Sequence, residues 1–130
     1  MSYYTDCITR IYTQHFPKPQ QVERIVQAKQ FIDRYACDHI GLQDMASSAC
    51  LSVFHFTRLF KRCYGCTPHQ YLSSVRISKA KQLLAAGVTV TGTGFSTGYT
   101  SITSFTGLFK KITGSTPLAY RQKKQFPRGS

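Results

Sequence analysis

Ser52-Val-Phe-His-Phe-Thr-Arg-Leu-Phe-Lys-Arg-Cys-Tyr-Gly-Cys-Thr-Pro-His-Gln-Tyr71 returns forty-nine residues later as Ser101-Ile-Thr-Ser-Phe-Thr-Gly-Leu-Phe-Lys-Lys-Ile-Thr-Gly-Ser-Thr-Pro-Leu-Ala-Tyr120, with ten identical positions in twenty. In the first copy Ser52 is a good helix N-cap, Phe56, Leu59 and Phe60 fall on one helical face, and Gly65 ends the helix. Thr67-Pro68-His69-Gln70 then supplies an N-cap, a proline at the first helical position and the glutamine of a capping box, so a new helix starts there. The second copy repeats the plan, with a helix from Ile102 to about Thr113, then Gly114, and a last helix from Pro117. A compact unit used twice at fixed spacing suits two matched contacts on a periodic partner such as duplex DNA.

Working outward, Tyr71, Leu72, Val75, Ala80, Leu83 and Leu84 carry the helix that begins at Pro68 to about Ala86. At its usual rise such a helix is roughly 28 Å long, enough to hold two small units apart by about one turn of DNA. Ahead of the first copy, Val22, Ile25, Val26, Phe31, Ile32 and Tyr35 recur with the helical period, so a helix from Gln20 to about Cys37 is expected to cover that copy's core. Short helices fit Leu42 to about Ala49 and, more weakly, Val90 to Thr97. The Thr- and Gly-rich run from Thr89 to Thr103 is the one place where a strand competes. Tyr4, Cys7, Ile8, Ile11, Tyr12, His15 and Phe16 fit a short amphipathic helix before Pro17-Lys18-Pro19; its apolar stripe packs on its own domain or docks a partner. The basic run from Gln122 is expected to fray. The expected fold is all-α, about seven helices: two helix-turn-helix subdomains at 20–67 and 88–125, a linker helix at 68–87, a lead-in at 1–19 and a tail at 126–130.

The formal net charge of +12 is unevenly placed. All five acidic residues, Asp6, Glu23, Asp33, Asp38 and Asp44, lie in the first third, whereas the last eighty-six residues carry twelve Lys and Arg. A merely solvated surface mixes both signs, so the exclusion of carboxylates points to a polyanion. The same exclusion argues against nucleic-acid chemistry in the basic part, which needs converging carboxylates or a bound metal. No catalytic residues and no cofactor are expected. With no apolar run long enough for a membrane span, a soluble cytoplasmic protein is expected.

Five cysteines, Cys7, Cys37, Cys50, Cys63 and Cys66, show no framework spacing and fit reduced thiols. Cys63-Tyr-Gly-Cys66 with His69 has the look of a metal or redox motif, but no second ligand pair follows it. The pair also sits at a helix C-terminus, where the dipole disfavours a thiolate, so no metal site is expected.

A short helix, a tight turn and a second helix with an apolar inner stripe make a helix-turn-helix, and two of them on one long helix narrow the match. The run Ser52 to Tyr71, the segment Arg76-Ile77-Ser78-Lys79-Ala80 with Leu83-Leu84, and Gly94-Phe-Ser-Thr-Gly-Tyr99 followed by Ser104 to Arg121 closely resemble the DNA-binding domain of the AraC/XylS family of bacterial transcriptional regulators. The resemblance covers about Gln20 to Lys124. It implies a seven-helix domain that sets two reading helices into successive major grooves of double-stranded DNA and activates or represses transcription by contact with RNA polymerase. Most members carry a further effector or dimerisation domain. Nineteen residues before the first helix are too few for one, so a stand-alone binder, monomeric or weakly dimeric, or a fragment of a longer regulator is expected.

Carried across position by position, the family pattern puts Phe54, Thr57 and Arg58, with His55 beside them, on the surface that meets base edges. Arg58 suits bidentate bonding to guanine O6 and N7, with a plain phosphate contact as its alternative. Phe54 either presses on a thymine methyl or is a peripheral core residue. In the second copy Gly107 replaces Arg58 and Thr103 replaces Phe54, leaving Ile102, Thr103 and Thr106 to touch methyl groups or form weak hydrogen bonds. Lys61, Arg62, Lys110 and Lys111 are expected to meet phosphates, as are Ser52 and Ser101 with their helix N-termini. Gly92, Thr93 and Gly94 stand where the family usually has a polar residue, an aliphatic one and an alanine, which lowers helix propensity and loses an apolar contact. The first copy should therefore supply most of the sequence specificity and the second mainly affinity. A nonspecific architectural DNA binder is the main alternative; RNA binding ranks lower because the aromatics fall on inner stripes.

Overall fold

In the computed structural model residues 19–125 are described, and every regular element among them is a helix. In chain order these are α1 (Pro19–Tyr35), α2 (Leu42–Ser48), α3 (Val53–Tyr64), α4 (Pro68–Ala85), α5 (Val90–Ser96), α6 (Ile102–Thr113) and α7 (Pro117–Gln125). The helix expected over residues 4 to 16, with the stripe expected to pack on its own domain or dock a partner, lies outside the described residues, as does the tail 126–130. Of the described residues, 19–34 with 40–71 form one compact unit and 35–39 with 72–125 form the other.

In the first unit the buried apolar side chains are Ile25, Ala28 and Ile32 of α1, Met45, Ala46 and Ala49 around α2, and Phe56, Leu59 and Phe60 of α3. The sequence reading of α1 needs correction. Val26 and Tyr35 are 41% and 39% exposed, and the inward strip runs through Ala28 instead. Residues three and seven positions beyond Ile25 share its face, and an alanine there lets the helix approach closely; counting only large apolar residues misses it. Asp33 joins α1 to the start of α4. It accepts a hydrogen bond from the Tyr71 hydroxyl and pairs with Lys29 at 3.2 Å, the one ion pair among the described residues.

In the second unit Ile77, Ala80 and Leu84 of α4 pack with Phe105 and Phe109 of α6, and Val90, Tyr99 and Tyr120 close the cluster. The threonine-rich run forms α5, not a strand, because the Thr89 hydroxyl caps it by accepting from the Gly92 N–H at 3.1 Å. The basic run from Gln122 does not fray at once but stays helical to Gln125. Arg121 donates through Nε to the Val88 carbonyl at 3.1 Å and through Nη2 to Gly87 at 2.9 Å, while Gln125 donates to Ala85 at 2.6 Å. These bonds satisfy the Ala85 carbonyl in the last turn of α4 and the carbonyls of Gly87 and Val88 just beyond it.

Thr93 is fully buried and its hydroxyl finds no hydrogen-bond partner among the described residues. A desolvated, unpartnered hydroxyl costs more than the lost apolar contact expected from the sequence. Thr93→Val keeps the shape and removes the polar atom. It should stabilise the protein by about 1 kcal/mol and raise Tm by roughly 5 °C in thermal unfolding followed by circular dichroism. An unchanged or lower Tm would contradict this.

Burial raises the pKa of Tyr64, Tyr71 and Tyr99 above the ordinary 10.0, and that of Cys37 and Cys63 above 9.0. A raised folded-state pKa means that ionisation favours the unfolded chain. The stability is thus fully present below the unfolded values and is lost as pH rises through the folded ones. Denaturant midpoints should be level from pH 7 to about 8.5 and fall progressively above about 9 to 10. A midpoint that rises at alkaline pH would contradict these directions.

Candidate nucleic-acid interface

The two reading helices are built alike. Ser52 Oγ accepts from the His55 N–H at 3.2 Å and Ser101 Oγ from the Ser104 N–H at 3.4 Å. At the far ends Gly65 and Gly114 turn left-handed at φ 77° and 85°, and their N–H groups return to the carbonyls of Lys61 and Lys110 at 2.7 and 2.8 Å. Inside, Phe56 and Phe60 lie 5.6 Å apart between ring centroids, and Phe105 and Phe109 lie 5.8 Å apart. Phe60 meets Tyr71 at 5.8 Å as Phe109 meets Tyr120 at 5.5 Å. The repeat thus preserves the inner face of each unit down to its ring packing.

Before each reading helix the turn is also shared, but in a different register. The Leu51 N–H bonds the Ala46 carbonyl and the Tyr99 N–H bonds the Gly94 carbonyl, both at 3.1 Å. These partners are forty-eight residues apart along the chain, not forty-nine, so the second copy has one extra residue between its turn and Ser101. The left-handed position of the turn is Gly98 in the second copy, at φ 99°, and Cys50 in the first, at φ 56°. A non-glycine residue is seldom found in that conformation. Ala46 of the first copy corresponds to Gly94, where a Cβ would stand 3.0 Å from both Ile102 Cδ1 and Phe105 Cδ2. The packing there demands a small residue.

Arg76, met in the sequence only as part of a family motif, organises the second unit. Its Nε donates to the Ala36 carbonyl at 2.6 Å and its Nη2 to the Asp38 carbonyl at 3.0 Å. Its guanidinium carbon lies 5.3 Å from the Tyr99 ring centroid, and a Cβ on Gly98 would come within 3.0 Å of it. One side chain therefore ties residues 36–38, just beyond α1, to the turn that launches α6, all within the second unit. Acceptors about forty residues away leave no local spacing signal, so sequence periodicity does not find this role.

The outer faces are unlike each other. On α3, Phe54 is 72% exposed, which rules out a core position, and Arg58 stands over its ring at 5.3 Å from the centroid. Thr57 and His55 are half-buried, and the Thr57 hydroxyl donates to the Val53 carbonyl at 2.8 Å, leaving its oxygen free only to accept. On α6, Thr103 and Gly107 are exposed and Thr106 is half-buried. Ile102 is also half-buried, its δ-methyl against Gly94, so part of it serves packing. Lys61, Arg62, Lys110 and Lys111 are exposed in the last turns of their helices, where they also favour the negative dipole end. Ser52 and Ser101 use an oxygen lone pair for capping and keep the hydroxyl proton to donate. Burial raises the Cys63 thiol above its ordinary pKa, opposite to a reactive thiolate. No group of three His, Cys, Asp or Glu side chains converges among the described residues.

Two short helix, turn, helix units, each presenting the outer face of a capped second helix on a chain without carboxylates beyond Asp44, define a helix-turn-helix nucleic-acid-binding module. Residues 45–123 match the family model described as a helix-turn-helix domain. The chain belongs to this family and is a DNA-binding domain of the AraC/XylS type. It is 30% identical over 105 residues to the arabinose operon regulatory protein of Salmonella typhimurium, covering 79% of this chain and 37% of that protein. It is also 30% identical over 107 residues to the bifunctional transcriptional activator/DNA repair enzyme AdaA of Bacillus subtilis, covering 82% and 49%. Among solved structures, the DNA-binding domain of the global transcriptional factor AdpA in complex with a target DNA superimposes with a TM-score of 0.73 at 25% identity, covering 81% of this chain and 97% of that one. The chain spans less than half the length of the curated relatives it matches. Among the described residues no helix is long and apolar enough to cross a membrane.

Proposed function

We propose that the chain reads double-stranded DNA sequence-specifically in transcription regulation, with α3 and α6 entering successive major grooves. The observation that carries this reading is the pair of matched, capped helices whose inner faces repeat and whose outer faces are exposed and free of carboxylates. Residues 20–67 and 88–125 act as the two reading subdomains and 68–87 as their linker.

On α3, Arg58 bonds a guanine edge, with Phe54 and Thr57 beside it on the bases. On α6, Ile102, Thr103 and Thr106 make small contacts in the groove. Ser52, Lys61 and Arg62 in the first unit, and Ser101, Lys110 and Lys111 in the second, hold phosphates and set the register without carrying sequence information. The domain works in the cytoplasm as a monomer or weak dimer, contacts RNA polymerase when it activates, and performs no chemistry of its own. The absence of any carboxylate after Asp44 supports that last point.

The net charge of +12 supports a second reading, a nonspecific architectural binder held by counterion release alone. Titrating a selected site and a random duplex at two salt concentrations separates the two. Sequence reading requires the selected site to bind about a thousandfold or more tighter at physiological salt, with both affinities falling as salt rises. Equal affinities at both salts would replace the first reading with the second.

A further inference from the structure

The leading helices of the two units, α2 and α5, correspond residue by residue in the forty-eight-residue register. α2 buries Met45, Ala46 and Ala49, and its Asp44 carboxylate accepts from the Gly41 N–H at 2.7 Å. In α5 and its C-cap those four places are taken by Thr93, Gly94, Thr97 and Gly92. α5 thus buries no large apolar side chain. Phe95 is 53% exposed, Val90 is half-buried, and the place of the methionine holds the unpartnered Thr93 hydroxyl. Among the described residues the other buried side-chain polar atom without a partner is the Tyr99 hydroxyl, in the turn that follows α5. The Thr97 hydroxyl donates to the carbonyls of Thr93 and Gly94 at 2.8 and 3.1 Å, which ties α5 to nothing outside itself. A Cβ on Gly92 would stand 2.9 Å from the capping Thr89 Oγ1, so a stiffer residue there disturbs the cap.

An interior glycine favours the unfolded helix roughly fivefold relative to alanine, and a buried orphan hydroxyl does so by a similar or larger factor. The rest of the second unit is held without α5. Phe105 and Phe109 of α6 pack on Ile77, Ala80 and Leu84, and α7 is bound through Arg121 and Gln125 to carbonyls of residues 85, 87 and 88. Arg76 lies over Tyr99 and so fixes the turn at the far end of α5. α5 in turn supports the start of α6, because the Ile102 δ-methyl lies against Gly94. We infer that α5 opens and closes as a local unit while α4, α6 and α7 stay folded, and that it must be closed for the first turn of α6 to seat on DNA. The opening concerns the free chain and needs no ligand; the requirement for closure rests on the DNA-reading function proposed above. The second unit is then gated by the folding of its own short helix, and the first unit is not.

The test is hydrogen exchange of the full chain, read at single amides by nuclear magnetic resonance. The Thr93 and Met45 amides are equivalents, bonded to the carbonyls of Thr89 and Gly41 at 2.9 and 3.2 Å, so their comparison reports opening and not the number of bonds. In the free protein the Thr93 and Thr97 amides should be roughly tenfold or more less protected than those of Met45 and Phe109. Their exchange should also be nearly insensitive to low urea, because a local opening exposes little surface. Thr93→Val should raise their protection about fivefold. With selected-site duplex in free excess of about a hundred times Kd, required closure should raise it by about a hundredfold. α5 amides as protected as those of Met45 and Phe109, or unmoved by Thr93→Val, would overturn the local opening. Protection gained in α3 but not in α5 on adding the duplex would overturn the requirement for closure. If wild-type protein did not distinguish the selected site from random duplex, the DNA-reading function would fall and the closure requirement with it, whereas the opening measured on the free chain would stand.

Discussion

Arg58→Ala is expected to weaken binding to the selected site by roughly 10- to 100-fold, the range that a bidentate arginine–guanine pair discriminates. Binding to random duplex should change far less, because the phosphate contacts proposed for Lys61, Arg62, Lys110 and Lys111 would remain. Arg58→Lys separates charge from geometry. It keeps the positive charge and loses the planar fork, so most of the discrimination should be lost while the salt dependence is retained. Thr106→Ala is the matched change on α6 and should cost no more than about threefold, since the outer face there offers only short side chains. If Thr106→Ala lost more discrimination than Arg58→Ala, the unequal division between the two units would be wrong. The expectation rests on a physical contrast at equivalent positions. In the first unit an exposed aromatic ring holds a guanidinium outward; in the second, a threonine and a glycine face open space.

The largest effect on stability is expected at Arg76. Removing its guanidinium leaves the carbonyls of Ala36 and Asp38 without their donors and uncovers the Tyr99 ring. Hydrogen bonds to charged groups are worth roughly 1.5 to 3 kcal/mol each. Arg76 is half-buried, so solvent offsets part of this, and Arg76→Ala should destabilise the protein by about 3 kcal/mol. Arg76→Lys should recover little, because a single ammonium does not bridge two carbonyls and lie flat on a ring. Tyr99→Phe is the control. The tyrosine hydroxyl has no hydrogen-bond partner among the described residues, so its removal should be neutral or slightly stabilising while the ring contact persists. Denaturant unfolding of the three variants checks this, and an Arg76→Ala midpoint equal to wild type would contradict it.

The helices were legible in the sequence because their ends are written locally. Ser52, Gly65, the Thr67–Gln70 capping box and Gly114 each act within four residues, and the structure forms the bonds their spacing implies. The inner faces were legible because the Phe, Leu, Phe stripe is large and periodic. The packing of α1 was only half legible, because Ala28 contributes closeness and not bulk. The registers of the two turns were hidden by the single offset of the aligned run, since Cys50 and Gly98 share a backbone state and not a side chain. Arg76 and the orphaned Thr93 hydroxyl were not legible, since both depend on what lies across the fold. Of the candidate interface, the outward placement of Phe54 and Arg58 followed from the family pattern; their mutual stacking came only from side-chain geometry.

The central claim is that the repeat keeps the means of docking in both units and the means of reading mainly in the first. Selection of bound duplexes from a random pool, followed by footprinting with wild-type and Arg58→Ala protein, tests it most directly. The expected result is a site of about twenty base pairs with two contacts roughly one helical turn apart. Sequence preference should be concentrated at a guanine in one contact and be lost on Arg58→Ala, with the other contact protected but tolerant of substitution. A single short contact, or stronger preference in the contact that Arg58→Ala leaves untouched, would contradict the account.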